Sequence, residues 1–198
     1  MSPRPYELKQ RRSDMDATRI RIIVAAERVL VGSDAFTLEA VARKAGVARV
    51  TVYDRFGGRE ALVEAIFDDL AESGGLTQLP DAFSQADPIA ALERFVEIFC
   101  GFYSTHRLLL RRLHAMVVLG RSALGSSERD TRRLEGLRVL LGRVAEGGHP
   151  GADHADVVHA IHVLTGFAFI DAFAGAGADP VDVAPDVIAL VKRVAKLD

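Results

Sequence analysis

The sequence lacks the features that mark secreted and membrane-spanning proteins. Its single cysteine, Cys100, excludes an internal disulfide and fits a reducing cytoplasm. The polar, basic N-terminus has no apolar run of the kind that a signal peptide needs. The longest uncharged stretch, residues 157–170, has 14 residues, fewer than the roughly 20 that a membrane-spanning helix needs. These absences predict a cytoplasmic protein without membrane association.

The sequence motifs of common catalytic and cofactor sites are also missing. There is no HExxH motif, no pair of cysteines, no nucleophile elbow and no glycine-rich phosphate loop. We therefore expect no catalytic residue, no cofactor and no metal. One weaker alternative is a metal-dependent enzyme that uses His154, Asp156, His159 and His162, because His159 and His162 lie three residues apart and could share a helix face, as could Asp156 and His159.

Neither sign of charge dominates the whole chain, which has 25 Lys and Arg and 27 Asp and Glu, but the charges are unevenly placed. Residues 1–60 hold 12 basic and 8 acidic residues, a net charge of +4, whereas residues 61–198 hold 13 and 19, a net charge of −6. This split indicates an end that faces a polyanion and an acidic body. Residues 1–16, with two prolines and four cations, are predicted to be a basic flexible arm that enters a minor groove, raises nonspecific affinity or is simply solvated.

Two short helices joined by a glycine turn are predicted between Thr37 and Phe56. The first helix has apolar residues at helical spacing, and these are Leu38, Val41, Ala42 and Ala45. Thr37 stands at its N-cap, and Gly46 can take a positive φ just beyond its end. The second helix begins near Ala48, and its outer face carries cationic, hydroxyl and phenolic side chains. Such a helix suits the major groove of DNA, where its first residues face base edges and its cations meet phosphates.

The segment AGVARVTVYDRFGGREALVEAIF, which begins at Ala45, resembles the helix-turn-helix and following helix of the TetR family of transcriptional regulators. The most specific element is the order Thr-x-Tyr-x-x-Phe-x-x-basic-Glu from Thr51 to Glu60, and the match reaches upstream to Ile22. Helical periodicity predicts an all-α chain. The resemblance implies a helix-turn-helix DNA-binding domain at residues 17–60 and a helical ligand-binding and dimerisation domain at residues 61–198.

The resemblance also implies residue roles on DNA. Thr37, Tyr53 and Arg59 would hold the phosphate backbone, which positions a protein without reading sequence. Arg49 would pair with a guanine, and Val50 would contact a thymine methyl group. The full predicted set is Thr37, Arg49, Val50, Thr51, Tyr53, Arg55 and Arg59.

Four residues depart from the family pattern. Ala48 replaces a frequent serine, and the missing N-cap hydroxyl costs about 0.5–2 kcal/mol. Val50 replaces a frequent glycine, and Glu39 stands where some relatives carry a cation. Asp54 replaces a histidine or aromatic residue, and its carboxylate would accept from cytosine or pair with Arg49 or Arg55. These changes keep open a helical interaction protein that has lost operator recognition.

Helical periodicity continues through the rest of the chain. The predicted helices are 59–71, 88–104, 106–119, 127–146, 153–174 and 183–196, with a loop at 76–87. The helix after Pro88 carries an aromatic stripe. A TetR-like body would use such a stripe to enclose a small, mostly apolar effector, with a predicted lining of Phe95, Phe99, Cys100, Phe102, His114 and Met116. The alternative is that the stripe only fills the core.

The last two predicted helices are the expected homodimer contact. The helix at 153–174 is apolar around most of its circumference, and the final helix repeats apolar residues at helical spacing. A two-fold dimer presents two recognition helices to half-sites about 34–36 Å apart. The resulting prediction is a ligand-responsive repressor that binds a palindromic operator in double-stranded DNA.

Overall fold

The computed structural model describes the backbone of residues 5–32, 35–118 and 126–197, and the side chains of residues 16–32, 35–116 and 128–197. This described part contains eleven α-helices and one short 3-10 turn and has no strand, which confirms the predicted all-α fold class. The helices are α1 (Pro5–Val31), α2 (Leu38–Ala45), α3 (Arg49–Phe56), α4 (Arg59–Ser73), α5 (Leu79–Ser84), α6 (Pro88–Thr105), α7 (Arg107–Val118), α8 (Ser126–Glu146), α9 (Ala155–Leu164), α10 (Phe167–Ala174) and α11 (Ala184–Ala195).

The described residues divide into two compact units. The N-terminal unit contains the described residues up to Asp69 together with 115–118, and the C-terminal unit contains residues 70–114 and 126–197. The division falls inside α4, whereas the sequence placed a domain boundary at the start of that helix, after residue 60.

The core of the N-terminal unit is formed by apolar residues of α1 to α4. Helix α2 packs against both α1 and α3. The fully or almost fully buried side chains are Ile22, Ile23, Ala26, Val29, Leu30, Val41, Val52, Leu62, Val63 and Ile66. Because α3 has only two buried residues, Val52 and Phe56, its position depends on these neighbours.

Helix α1 differs from the predicted arm at residues 1–16, because it already begins at Pro5. Proline is tolerated in the first turn of a helix, where its missing N–H donor has no intrahelical partner to lose. Residues 7–12 are Glu, Leu, Lys, Gln, Arg and Arg, all good helix formers. The arm was predicted from charge and proline content, and neither of these reflects the helix propensity of the residues between.

The C-terminal unit is built around α6. Helix α6 packs against α5, α8, α10 and α11, while α9 packs against α8 and α11. Pro88 is the first residue of α6, as predicted. The Asp87 carboxylate accepts a hydrogen bond from the Ile89 N–H at 2.9 Å. The large buried side chains of this unit include Leu92, Phe95, Leu113, Leu137, Leu140, Leu141 and Ile161.

The single helix predicted at 153–174 is wrong, because the structure breaks it at Thr165 and Gly166 into α9 and α10, which are bent by 52°. Side chains from other helices satisfy the broken turn. Arg133 donates to the His162 carbonyl at 2.7 Å and to the Thr165 hydroxyl at 2.9 Å, and the Tyr103 hydroxyl donates to the Thr165 carbonyl at 3.2 Å. Such remote partners leave no mark on local periodicity.

The apolar helices α9 and α10 on either side of this break raise the question of a membrane span. Within the described ranges, no individual helix is both long and apolar enough to cross a membrane. Helices α9 and α10 reach the required length and composition only when they are counted together across the 52° bend.

The loop predicted at 76–87 is also wrong in part, because residues Leu76–Gln78 form the 3-10 turn and α5 follows at Leu79–Ser84. Pro80 lies in the first turn of α5, where proline is tolerated. Contacts with the rest of the protein hold this segment. Ala82 is buried, and the Arg143 guanidinium of α8 donates hydrogen bonds to the carbonyls of Phe83 and Gln85. A six-residue helix depends on such tertiary contacts.

Candidate nucleic-acid interface

Both ends of α2 are capped by the residues that the sequence indicated. The Thr37 hydroxyl accepts a hydrogen bond from the Ala40 N–H at 3.1 Å. Gly46 takes the left-handed conformation, with φ 67° and ψ 38°, and the Val47 N–H donates to the Ala42 carbonyl at 3.0 Å. A Cβ at Gly46 would meet nothing within 4 Å, so glycine is favoured there by its backbone conformation and not by lack of space.

Helix α3 is anchored on one side only. Val52 is fully buried and Phe56 is 9% exposed, and both point into the N-terminal unit. Ala48 precedes the helix in an extended conformation and offers no side-chain cap, as the sequence indicated. Gly57 ends the helix with φ 76°, and its N–H donates to the Tyr53 carbonyl at 2.6 Å. The opposite side of α3 is therefore displayed on a fixed helix.

The displayed side of α3 contains most of the predicted DNA-binding residues. Val50 is 62% exposed and Tyr53 is 58% exposed. Arg49 is also exposed, whereas Thr51 and Arg55 are half-buried. An exposed valine and an exposed tyrosine on one short helix form a mixed apolar and phenolic surface. Such a surface fits the base edges and methyl groups of a major groove.

Arg49 is held by an ion pair that the sequence pattern did not indicate. Its Nε atom lies 2.9 Å from a carboxylate oxygen of Glu39, and the two side chains are 66% and 62% exposed. Two alternatives were predicted for the Asp54 carboxylate, contact with a cytosine or pairing with Arg49 or Arg55, and among the described ion pairs Asp54 makes none. The reason is geometric, because α2 and α3 pack together and bring Glu39 to Arg49.

Thr37 and Arg59, the other two residues predicted to bind the DNA phosphate backbone, lie at the starts of helices. Thr37 is the N-cap of α2 and is exposed, although its hydroxyl is engaged by the Ala40 N–H. Arg59 is the first residue of α4 and is half-buried, with its guanidinium carbon 5.7 Å from the centre of the Phe36 ring. This cation–π contact orients the Arg59 side chain. Arg19 makes a similar contact with the buried Phe56 ring at 5.5 Å.

The predicted ligand-lining residues of α6 form a row of mutually packed rings. Phe95 contacts Phe83 and Phe99, with ring centres 6.4 and 4.8 Å apart, and Phe99 contacts Tyr103 at 5.8 Å. Phe95, Phe99 and Phe102 are each at most 7% exposed. Cys100 is fully buried, and burial, aided by nearby Glu97, raises the pKa of its thiol to about 12. These contacts correspond to the core-filling alternative.

His114 and Met116 do not join this row. His114 is exposed, although its ring lies 6.1 Å from that of Phe167. Met116 is half-buried and belongs to the N-terminal unit, whereas the other five predicted residues belong to the C-terminal unit. A pocket lined by all six residues stays a prediction.

The histidines of the alternative enzyme hypothesis have other surroundings. His162 Nε2 lies 3.1 Å from the Asp130 carboxylate, and burial together with the nearby Arg133 charge lowers the pKa of His162. His154, Asp156 and His159 are exposed. Within the described ranges, no group of three or more His, Cys, Asp or Glu side chains is arranged to hold a metal ion.

Sequence comparison gives the family of the N-terminal part. Residues 22–66 match the family model described as bacterial regulatory proteins, tetR family. This match confirms the family prediction for residues 22–66, which span the end of α1, α2, α3 and the first half of α4. No curated protein matches the sequence.

Structure comparison finds the same fold over most of the chain. NalD, the secondary repressor of the MexAB-OprM multidrug efflux pump in Pseudomonas aeruginosa, is 23% identical, with a TM-score of 0.65 and coverage of 92% of this chain and 97% of NalD. PfmR, a TetR family regulator from Thermus thermophilus, is 22% identical, with a TM-score of 0.67 and coverage of 87% and 97%. A gamma-butyrolactone receptor described as ArpA-like is 18% identical, with a TM-score of 0.57 and coverage of 93% and 100%. The shared fold includes both the helix-turn-helix and the helical body.

Proposed function

We propose that this chain, whose residues 22–66 match the TetR family, is a sequence-specific DNA-binding transcriptional regulator. It acts as a cytoplasmic homodimer that binds a palindromic operator and represses transcription. A small, mostly apolar effector bound by the C-terminal unit releases the operator. No enzymatic activity and no cofactor form part of this proposal.

The observation that carries the proposal is the exposed side of α3. Its buried residues, Val52 and Phe56, fix the helix, while Tyr53 and Val50 stay 58% and 62% exposed. A monomeric protein gains nothing from such exposure in water, since burying a side chain of this size is worth about 1.5–3 kcal/mol. A DNA major groove covers this surface, with Tyr53 on a phosphate and Val50 against a thymine methyl group.

The ion pair between Glu39 and Arg49 sets a condition on base reading. For Arg49 to donate two hydrogen bonds to a guanine, its Nε–Glu39 contact must be exchanged for contacts with DNA. An exposed ion pair is worth only about 0–1 kcal/mol, so the exchange requires little free energy. The Glu39 carboxylate also repels phosphates. It therefore favours a docking orientation in which the Arg49 side of α3 faces away from the DNA backbone.

The dimer and effector proposals rest on the C-terminal unit. Val163 of α9 is 63% exposed and Phe173 of α10 is 44% exposed, and Phe173 stacks on Phe169 at 5.6 Å. This exposed apolar surface suits an interface with a second copy. Efflux-pump repression by NalD and the receptor description of the ArpA-like protein favour a regulator that responds to a small molecule. A ligand releases DNA only if it binds one of two dimer states better than the other.

The test is selection of duplexes from a random pool, repeated at two salt concentrations. A palindromic consensus is expected, with affinity that falls as salt rises because counterions return to the phosphates. Tyr53→Ala should lower the affinity for the selected duplex by about tenfold or more, as expected for loss of a phosphate contact and its packing. Val139→Ala is the control, because Val139 is 55% exposed on α8 and lies in the other unit. Equal enrichment of all duplexes would reject operator recognition.

A helical interaction protein without operator recognition is the second candidate. The observation in its favour is that Arg49, the main candidate for base reading, is already neutralised by Glu39. Under this alternative, Tyr53→Ala leaves the residual DNA affinity unchanged. Under the first proposal, the same substitution lowers the DNA affinity. The same titration therefore separates the two.

A further inference from the structure

A groove on the N-terminal unit is formed by α1 and the C-terminal end of α2. Its volume is about 590 Å³. We call it the α1–α2 groove and define it by three apolar residues, Ala17, Ile20 and Val24, and three cations, Arg21, Arg28 and Lys44. None of these six residues belongs to the predicted DNA-binding set.

The groove uses a second face of α1 that the core leaves uncovered. The core face contains Ile22, Ile23, Ala26, Val29 and Leu30. Residues 17, 20, 21, 24 and 28 are spaced by three or four and therefore follow a separate stripe along the helix. On this stripe Ile20 is 57% exposed and Val24 is 36% exposed. Ala25 and Ala45 also line the groove and are buried, so its uncovered apolar surface comes from Ile20 and Val24 together with the exposed Ala17.

The three cations of the groove are not neutralised by close ion pairs with described residues. In the part of the chain that the structure describes, Arg21, Arg28 and Lys44 have no carboxylate within ion-pair distance. Some other surface arginines are paired, since Arg49 pairs with Glu39 and Arg111 pairs with Asp171 at 2.8 Å. Positive charge is therefore concentrated around exposed apolar side chains.

We propose that the α1–α2 groove binds an amphiphilic anion. The aliphatic or aromatic body of the ligand covers Ile20 and Val24, and a single carboxylate, sulfonate or phosphate head pairs with the surrounding cations. The volume lies in the range of about 300–1,000 Å³ that is typical of small-molecule sites. This inference goes beyond the proposed function, because it places a ligand on the DNA-binding unit and uses no residue predicted to bind the effector.

Charge and apolar surface together select this class of ligand. A neutral apolar molecule would leave three cations without a partner, and guanidinium groups are the usual donors to carboxylates and phosphates. A DNA phosphate backbone would satisfy the cations but would leave the exposed isoleucine and valine uncovered. Only a ligand with both an anionic head and an apolar body complements the whole groove.

The experiment titrates the full-length protein with decanoate by calorimetry, below the concentration at which decanoate forms micelles. Decanol and decylammonium serve as matched probes of the same chain length. Saturable binding of decanoate is expected, with decanol about tenfold weaker or worse because it lacks the charged head, and with no binding of decylammonium.

Variants assign the binding to the groove. Arg21→Ala with Arg28→Ala should weaken decanoate binding by about tenfold or more. Ile20→Asn should weaken it through the apolar part of the groove, and Arg193→Ala, an exposed cation on α11, should leave it unchanged. Circular dichroism checks that each variant is folded, which is expected because all the replaced side chains are exposed.

Three results would overturn the proposal: no saturable decanoate binding, equal affinity for decanol, or binding that survives the double arginine variant. Operator binding is measured separately on the same variants. If the double variant weakens operator binding and lowers its salt dependence but leaves decanoate binding intact, the cations serve the DNA backbone instead. If no operator is selected but decanoate binds as expected, the proposed function fails and the groove stands.

Discussion

The turn between α2 and α3 and the break between α9 and α10 both redirect the chain, but they are built in opposite ways. Around α2, the capping contacts come from residues near in sequence. The Thr37 hydroxyl caps the start of the helix by accepting from the Ala40 N–H, and Gly46 ends it in the left-handed conformation. At Thr165, a local hydrogen bond from its hydroxyl to the Ile161 carbonyl is joined by contacts from Arg133 and Tyr103, which are 32 and 62 residues away. Local capping is visible in a sequence, whereas a remote donor becomes visible only after folding.

The remote contacts have the larger consequence for stability. Arg133→Met should lower the free energy of unfolding by about 2–4 kcal/mol, because it removes charged donors from the His162 carbonyl and the Thr165 hydroxyl. The expected loss of stability is smaller than for a fully buried ion pair, because Asp130, the third partner of Arg133, is 46% exposed. Denaturation by urea, followed by circular dichroism, measures the change.

The matched control for this change lies on the same helix. Arg138 forms an ion pair with Glu135 in which the side chains are 48% and 58% exposed. Arg138→Met should change the free energy of unfolding by no more than about 0.5 kcal/mol. Equal effects of the two variants would show that Arg133 does not hold the break.

The local contacts should give a smaller effect. Gly46→Ala is expected to lower the free energy of unfolding by about 1–2 kcal/mol, because an L-residue is strained at φ 67° even though its Cβ meets nothing within 4 Å. Gly142→Ala, in the interior of α8, makes the same substitution in open space at a helical position. It should instead stabilise the protein by about 0.5–1 kcal/mol. Changes of the same sign at both glycines would contradict the conformational explanation.

The smallest expected effect concerns the tertiary contact within the DNA-binding face. Glu39→Gln removes an exposed ion pair and should change the free energy of unfolding by no more than about 1 kcal/mol. It should tighten binding to the selected operator, by at most about fivefold, because Arg49 is released and a negative charge leaves the interface. Fluorescence anisotropy with labelled duplex measures the affinity of the variant and of Arg49→Gln.

The double variant, Glu39→Gln with Arg49→Gln, closes the cycle. If Glu39 acts through Arg49, the gain from Glu39→Gln disappears when Arg49 is already absent. A gain that persists would instead reflect general repulsion of phosphates by the Glu39 carboxylate.

Much of the fold and of the candidate site could be predicted from local features. The cap at Thr37, the glycine turn at Gly46 and the start of α6 at Pro88 each depend on residues within one helical turn. The Glu39–Arg49 pair could not be predicted, because it depends on how α2 packs against α3. The same holds for α5, which is too short to be stable alone and is held by Arg143.

The order of residues by itself determined the all-α class, the family of residues 22–66 and the helix ends at Thr37 and Gly46, because these depend on propensity, periodicity and contacts between neighbours in sequence. Tertiary structure decided the bend at Thr165, the partner of Arg49 and the packing of the aromatic row of α6. Each of these joins groups that are distant in sequence, and their hydrogen bonds, charges and ring contacts form only when the helices have packed.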